Sequence, residues 1–283
     1  MPDTIEKLGS SLIQHGKDSD RIYLMKLHPD DASSIVARIE ELADAHDYGK
    51  IFCKVPAPFV GPFEKAGYSE EARVPGFFGG EVDAAFMSRF RKPQRAELDD
   101  IELAAVKEPL SLAEKKQHDA PSGPPEEYTI RRLEASDVDQ LAALYRVVFP
   151  SYPFPIFDPD YLRRTMADHI RYYGAFHTDG LVAASSAETD PDARNSEMTD
   201  FATVPAHRGK RLAVHLLLAM EPDLRASGFA TAYTIARAAS VGMNVTFARC
   251  GYRFAGTLIN NTQISGQIES MNVWYKGLRA REA

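Results

Sequence analysis

The sequence predicts an α/β protein with a mixed sheet, arranged in two halves. Three observations carry that expectation. The second half reads β-α-α-β-β-β-α-β-α-β-β, with one helix crossover at its centre. A charged, proline-rich stretch from Pro93 to Glu127 separates it from a shorter first half. One pattern, Phe-x-basic-x-Gly-Tyr, occurs in each half, as Phe63-Glu64-Lys65-Ala66-Gly67-Tyr68 and as Phe247-Ala248-Arg249-Cys250-Gly251-Tyr252. Each copy follows a helix and a strand and precedes strand-like sequence, which suggests a degenerate internal repeat.

In the first half, Asp20 to Leu27 reads as a strand. Pro29 to His46 is an amphipathic helix with Ile35, Ile39 and Leu42 on one side. Lys50 to Val55 is a strand, Pro62 to Ala66 a helical turn, and Glu81 to Phe90 a strand. Glu97 to Val106 has helical character, and Asp119-Ala120-Pro121-Ser122-Gly123-Pro124-Pro125 is a linker. The expected division is residues 1–115, a linker at 116–127, and residues 128–283.

The second half opens with a strand at Tyr128–Leu133. Ala135-Ser136-Asp137 caps a helix with apolar positions Val138, Leu141, Leu144, Tyr145 and Val148. An aromatic loop follows, Phe149-Pro150-Ser151-Tyr152-Pro153-Phe154-Pro155, then a helix from Pro159 to His169. Strands are expected at 171–177, 180–188 and 196–204, and a helix from near Gly209 toward Ala226. A strand at 230–236, a helix around 240–250, and strands at 252–262 and 266–275 complete the order.

The 283 residues are 44% hydrophobic and 26% charged, the mixture of a globular protein with a sizeable core. No apolar run has the length of a membrane span. The start, Met1-Pro2-Asp3, lacks the basic-then-apolar pattern of a signal peptide, so the expected location is the cytoplasm. A net charge of −7 argues against nucleic-acid or anionic-membrane partners and permits a cationic substrate. Cys53 and Cys250 are too few and too isolated for a disulfide framework or a cysteine zinc site; no metal is expected.

The chemistry concentrates between Asn195 and Ala213. Strand, short loop and helix start succeed one another, with Arg208, Gly209 and Lys210 at the turn. Amides at a helix start lack helical partners and, with the helix dipole, form an anion site. Two cations add charge, and Gly209 lets a ligand approach the backbone. A pyrophosphate suits this site. A Walker loop needs Ser or Thr after Gly-Lys, where Arg211 stands, and no Gly-x-Gly-x-x-Gly follows the first strand. Coenzyme A is the reading that remains.

Arg208-Gly209-Lys210-Arg211-Leu212-Ala213 resembles the Arg/Gln-x-x-Gly-x-Gly/Ala motif of the GNAT acetyltransferases, with Arg211 in place of a glycine. Phe247 to Tyr252 resembles their Tyr-x-x-x-Gly-Phe-like segment. This likeness covers roughly residues 128–278 and implies the GNAT fold with acetyl-CoA as cosubstrate. The whole chain resembles the β-lysine N-acetyltransferases, through Gln14-His15-Gly16-Lys17, Asp20 to Leu27, Glu197-Met198-Thr199-Asp200-Phe201, Asn260-Asn261-Thr262 and Glu269 to Lys276. That resemblance implies acetylation of the terminal (N6) amine of β-lysine, giving a compatible solute. It also implies a lysine 2,3-aminomutase as pathway partner. Lysine, a polyamine or an antibiotic amine are alternative acceptors, and a non-catalytic acyl-CoA sensor is the rival from another class. A homodimer is an allowed assembly.

An amine of pKa near 10.4 must lose a proton before it attacks a thioester. In many GNAT enzymes a glutamate eleven residues before the phosphate motif serves as base. Glu197 stands eleven residues before Arg208, and Asp200 is the second candidate. On a regular strand residues three apart face opposite ways, so only one should reach the cleft unless a bulge intervenes. Phe201, Ala202 and Thr203 are expected along the pantetheine arm, Arg208 to Ala213 (with Lys210, Arg211 and Leu212) at the phosphates, and Asn244 and Phe247 near the coenzyme. Phe247 has no proton to give, which leaves Tyr233, Tyr145 or solvent as acid. Tyr152, Phe154, Asn261 and Glu269 are the expected acceptor contacts. The first half, whose matching helix begins His28-Pro29-Asp30-Asp31, is expected to bind no coenzyme, because two carboxylates there repel a pyrophosphate.

Overall fold

A computed structural model of the chain describes residues 3–150, 152, 154–264 and 266–279. Met1 and Pro2, read above for a signal peptide, and Ser151 and Pro153 of the aromatic loop lie outside these residues.

The first half runs β1 (Thr4–Leu8), β2 (Ser11–Gly16), β3 (Arg21–Lys26), α1 (Ile35–His46), β4 (Lys50–Pro56), α2 (Val60–Lys65), β5 (Ser69–Phe78) and β6 (Val82–Phe90). Helix α3 (Asp100–Glu114) leads to the linker. The second half runs β7 (Thr129–Arg132), α4 (Val138–Val148), α5 (Pro159–Asp168), β8 (Ile170–His177), β9 (Gly180–Asp190), β10 (Asn195–Thr203), α6 (Leu212–Ala226), β11 (Thr231–Arg237), α7 (Val241–Arg249), β12 (Arg253–Ile264) and β13 (Gln267–Gly277).

All thirteen strands form one sheet, in the order β1-β2-β3-β4-β6-β5-β12-β13-β11-β10-β9-β8-β7. The order from β1 to β5 is repeated, in mirror sequence along the sheet, from β8 to β12. The pairing types match as well. β3 and β4 are parallel around α1, as β10 and β11 are around α6, and the other pairs within each half are antiparallel. The two sextets noted in the sequence pack alike. Phe63 meets Tyr68 edge to face at 5.4 Å, and Phe247 meets Tyr252 edge to face at 5.1 Å. Gly67 and Gly251 both take positive φ, +84° and +79°, to end the preceding helix.

The halves join where β5 meets β12 at the pair Ala72↔Gly256. A Cβ on Gly256 would lie 2.1 Å from the Glu71 carbonyl oxygen, so only glycine permits this approach. Glu71 ties the join. Its Oε1 accepts from the Ile259 amide at 2.7 Å, and its Oε2 accepts from the wholly buried Lys50 ammonium at 2.7 Å and from Ser88 Oγ. An apolar cluster crosses the join, with Tyr23, Phe52 and Phe86 from one side and Tyr233, Leu258 and Val273 from the other. Separate cores lie under α1 (Ile35, Ile39, Ala43) and under α6 (Leu216, Leu217, Met220), the latter including Trp274.

Three expectations are corrected. The single helix from Pro29 to His46 is a 3-10 turn at Pro29–Asp31 followed by α1. Asp31 accepts bonds from the Ser10 and Ser11 amides and the Ser11 hydroxyl, which anchors the turn to the β1–β2 loop. Helix α6 starts at Leu212 rather than near Gly209, because Gly209 (φ +79°) and Arg211 (φ +59°) are left-handed and cannot continue a right-handed helix. Helix α3 starts later and runs further than Glu97–Val106, from a reciprocal Asp99–Glu102 cap to Glu114. Among the described residues no helix is long and apolar enough to cross a membrane.

Candidate active site

Strands β10 and β11 are hydrogen-bonded over three rungs only, Asn195↔Thr231, Ser196↔Ala232 and Glu197↔Tyr233, and then part. Beyond Glu197, β10 stays paired with β9, and its β11-facing edge opens into a wedge. Glu197 and Tyr233 face each other at the last rung, where the Tyr233 hydroxyl donates to Glu197 Oε2 at 3.0 Å.

The register of β10 against β9 shifts between Thr199 and Ala202, and Asp200 takes φ +55°. This bulge meets the condition set by the sequence argument. It turns Asp200 so that Glu197 and Asp200 line the same cavity, of about 1190 Å³, between the two halves. Tyr152 and Ser186 both donate to Asp200, Ser186 Oγ at 2.6 Å.

A third carboxylate, Glu188, also lines this cavity and sits directly across from Glu197 in the β9–β10 register. Burial, then the charges of Glu197 and Asp200, push Glu188 up to about 7. Burial also raises Glu197, with Lys54 pulling it back, and burial raises Asp200 against the bonds from Ser186 and Tyr152. Three carboxyl groups in an aromatic cavity therefore titrate nearer to neutrality than free ones, as proton acceptors working at neutral pH require. Glu188 was missed from the sequence, since only the strand register reveals that it opposes Glu197.

At the other end of β10, the loop 204–211 leads into α6. Arg208, Gly209, Lys210 and Arg211 are exposed, and the amides of Gly209 to Ala213 have no backbone acceptor among the described residues. The donors and three cations suit a pyrophosphate, so the residues present fit the coenzyme. Space around Gly209 is open to a Cβ, so glycine is required there by its φ and not by crowding. Arg211 adopts a left-handed conformation, at a cost of roughly 1–2 kcal/mol.

Other expected residues fall as follows. Tyr152, Phe154 and Asn261 line the cavity. Ala202 is buried, and Phe201 packs edge to face on the fully buried Phe247 at 5.6 Å, so Phe247 supports the wedge wall from behind. Asn244 is not an open coenzyme contact. It is fully buried, its Nδ2 donates to the carbonyls of Arg237, Ala238 and Ser240, and its Oδ1 accepts from Asn272 and Trp274. Glu269 does not line the cavity and forms a two-bond pair with Arg237 at 2.6 and 2.7 Å. Of the two tyrosines left open as acid, Tyr233 is at the site, whereas Tyr145 is in the core with an unpartnered hydroxyl. One set of described residues could ligate a metal: His177, Asp179 and His207, outside the cavity. There Asp179 Oδ2 is 3.3 Å from His177 Nδ1 and 3.5 Å from His207 Nε2 and serves as partner to both.

Comparison with known proteins places these features. The sequence profile of the acetyltransferase (GNAT) family matches residues 138–252. The chain is 34% identical to a beta-lysine N(6)-acetyltransferase of Methanococcus maripaludis, over 97% of this chain and 98% of that one. It is 30% identical to a beta-lysine N(6)-acetyltransferase of Methanosarcina mazei, over 86% of this chain and 97% of that one. It is 33% identical to the N-acetyltransferase YodP of Bacillus subtilis, over 75% of this chain and 76% of that one.

Proposed function

This chain belongs to the acetyltransferase (GNAT) family, and from that premise we propose that it transfers the acetyl group of acetyl-CoA to the N6 amine of β-lysine. The observation that carries the reaction is the placement of Glu197 at the last β10–β11 rung, with the free amides of Gly209 to Ala213 at the far end of the same strand. Acetyl-CoA supplies the activated acetyl group as a thioester. Arg208, Lys210, Arg211 and the loop amides hold its phosphates, and the open edge of β10 at Phe201–Thr203 receives its arm.

Glu188, Glu197 and Asp200 receive the acceptor as an ammonium ion. Asp200, held by Tyr152 and Ser186, is the anchor. Glu197 takes the proton, directly or through one water, and burial, which raises its pKa above that of a free carboxylate, makes it a better acceptor. Glu188 faces Glu197 across the rung, and the Glu197 charge helps to hold the Glu188 proton on. A thiol of pKa near 8.5 leaves without obligatory protonation, so the hydrocarbon ring of Phe247 costs the reaction little. Tyr233 stays protonated, through burial and Glu197, and keeps Glu197 aimed at the wedge.

In the first half Asp31 occupies the place of the phosphate loop, and the amides of Asp31, Ala32 and Ser34 are taken by the His28, Pro29 and Asp31 carbonyls. One coenzyme per chain is expected, and a calorimetric stoichiometry of two would contradict it. The decisive assay follows thiol release from acetyl-CoA with β-lysine, lysine and spermidine. β-Lysine is expected to give the highest kcat/KM; release with none of the three overturns the proposal.

A further inference from the structure

The cavity is divided by charge. Apart from Asp3, its acidic residues come from the second half, including Glu188, Glu197 and Asp200, while its lysine and arginine residues, Arg21, Lys26 and Lys54, all come from the first. Lys26 is already taken, 3.1 Å from Asp190 and 3.3 Å from Asp192. The other two are not.

Arg21 is only 5% exposed, yet no carboxylate among the described residues lies within ion-pair distance. Its Nη1 donates to the Asn261 carbonyl at 2.8 Å and Thr262 Oγ1 at 2.7 Å, its Nη2 reaches Gln14 Oε1 at 3.4 Å, and its Nε has no partner. Asp3 acts on this charge from further away. Asn261 Oδ1, on the same wall, is also unpartnered. Lys54 donates to the Tyr233 hydroxyl at 3.1 Å, and its ammonium lies 5.4–5.9 Å from the ring centres of Tyr23, Phe77 and Tyr233. It too has no carboxylate within ion-pair distance among the described residues. Arg21 and Lys54 flank one ring, with Arg21 Cζ 5.2 Å and Lys54 Nζ 5.5 Å from the centre of Tyr23. Arg21 is buried and Lys54 half-buried; Glu197 and Glu188 act on Lys54 only from beyond ion-pair distance, and a cation withdrawn from water without a directly paired anion is unfavourable unless a ligand brings one.

We infer that Arg21 and Lys54 form a carboxylate subsite, so that the acceptor is a diamino acid lying across the cavity with its terminal ammonium among Glu188, Glu197 and Asp200. Arg21 is on β3, and Lys54 follows the last β3–β4 rung, Leu24↔Cys53. These strands are the first half's counterparts of β10 and β11. The parallel strand pair that performs the chemistry in one half thus reads the substrate in the other, with Arg21 at its first rung and Lys54 past its last. A polyamine would set its second ammonium against both cations and is disfavoured.

This subsite rests on the proposed acetylation of β-lysine, and the test separates the two. The full-length protein is assayed with β-lysine and with 1,4-diaminopentane, which is β-lysine without its carboxylate. Wild type is expected to favour β-lysine in kcat/KM by about 100-fold or more. Lys54→Gln and Arg21→Gln are each expected to lower that ratio roughly ten-fold or more; because Lys54 also bonds Tyr233 and acts on Glu197, its variant is expected to lower kcat for both amines alike, so the ratio between them is the readout. Should Arg21→Gln fail to fold, since its guanidinium also holds Asn261 and Thr262, Lys54→Gln decides. Equal use of the two amines by wild type, or an unmoved ratio in the variants, overturns the subsite and leaves the acetyltransferase standing. No thiol release by wild type with either amine overturns the acetylation of β-lysine itself.

Discussion

Glu197 and Glu188 face each other across one rung within an aromatic cavity, and the Glu197 charge adds to burial in raising Glu188. Replacing Glu197 by Gln removes the base while keeping its size. The expected loss in kcat with β-lysine is about 10²- to 10⁴-fold, most severe on the acid side of the pH optimum, read from steady-state pH profiles. Glu188 makes a thermodynamic prediction as well. Its pKa rises on folding from the ordinary 4.5 to about 7, so the folded state binds its proton more tightly than the unfolded state. The stability this confers is full below pH 4.5 and is lost as pH rises through 7. Glu188→Gln is therefore expected to stabilise the protein by about 1–3 kcal/mol at pH 8 and by little at pH 4, measured by urea denaturation at both. Equal effects at the two pH values would remove the coupling.

At the scale of elements, the β10–α6 loop is shaped by backbone sign. Gly209 and Arg211 both have positive φ, and the amides of Gly209 to Ala213 stay without backbone acceptors through the loop and the first residues of α6 among the described residues. Gly209→Ala meets no crowding, so its cost is conformational, about 1–2 kcal/mol. The expected kinetic signature is a raised KM for acetyl-CoA with the KM for the amine little moved. Unchanged acetyl-CoA kinetics in the Gly209→Ala variant would show that this loop does not hold the phosphates. The bulge in β10 is the matching device on the acceptor side, since without it Asp200 would face away from Glu197's cavity.

Across the whole molecule, two units of one topology share an edge, and the acceptor cavity exists only because they do. Gly256 permits that edge, with a Cβ there colliding with the Glu71 backbone at 2.1 Å. Gly256→Val is expected to cost more than about 2 kcal/mol and to lower thermal stability, since backbone cannot yield as a side chain does. In the fraction that folds, the KM for the amine is expected to rise more than that for acetyl-CoA, because the coenzyme loop lies wholly in the second half. An equal rise in both constants would argue against a cavity shared by the halves.

Helix and strand order, the Phe-x-basic-x-Gly-Tyr repeat and the segment from Glu197 to Ala213 were legible in the chain, because periodicity, turn residues and motif spacing are local properties. β1 and β2 escaped notice: β1 is a largely exposed edge strand that leaves little apolar alternation to read, while β2 is a short, mostly buried run without regular alternation. The bulge that brings Asp200 beside Glu197, the pairing that sets Glu188 opposite Glu197, and the burial that withdraws Asn244 depended on strand register and packing between distant segments. Those are relations among residues far apart in the chain, and a linear pattern does not encode which rung meets which. The placement of Arg21 and Lys54 in one cavity with the carboxylates of the other half belongs to the same class, decided when two similar units closed around it.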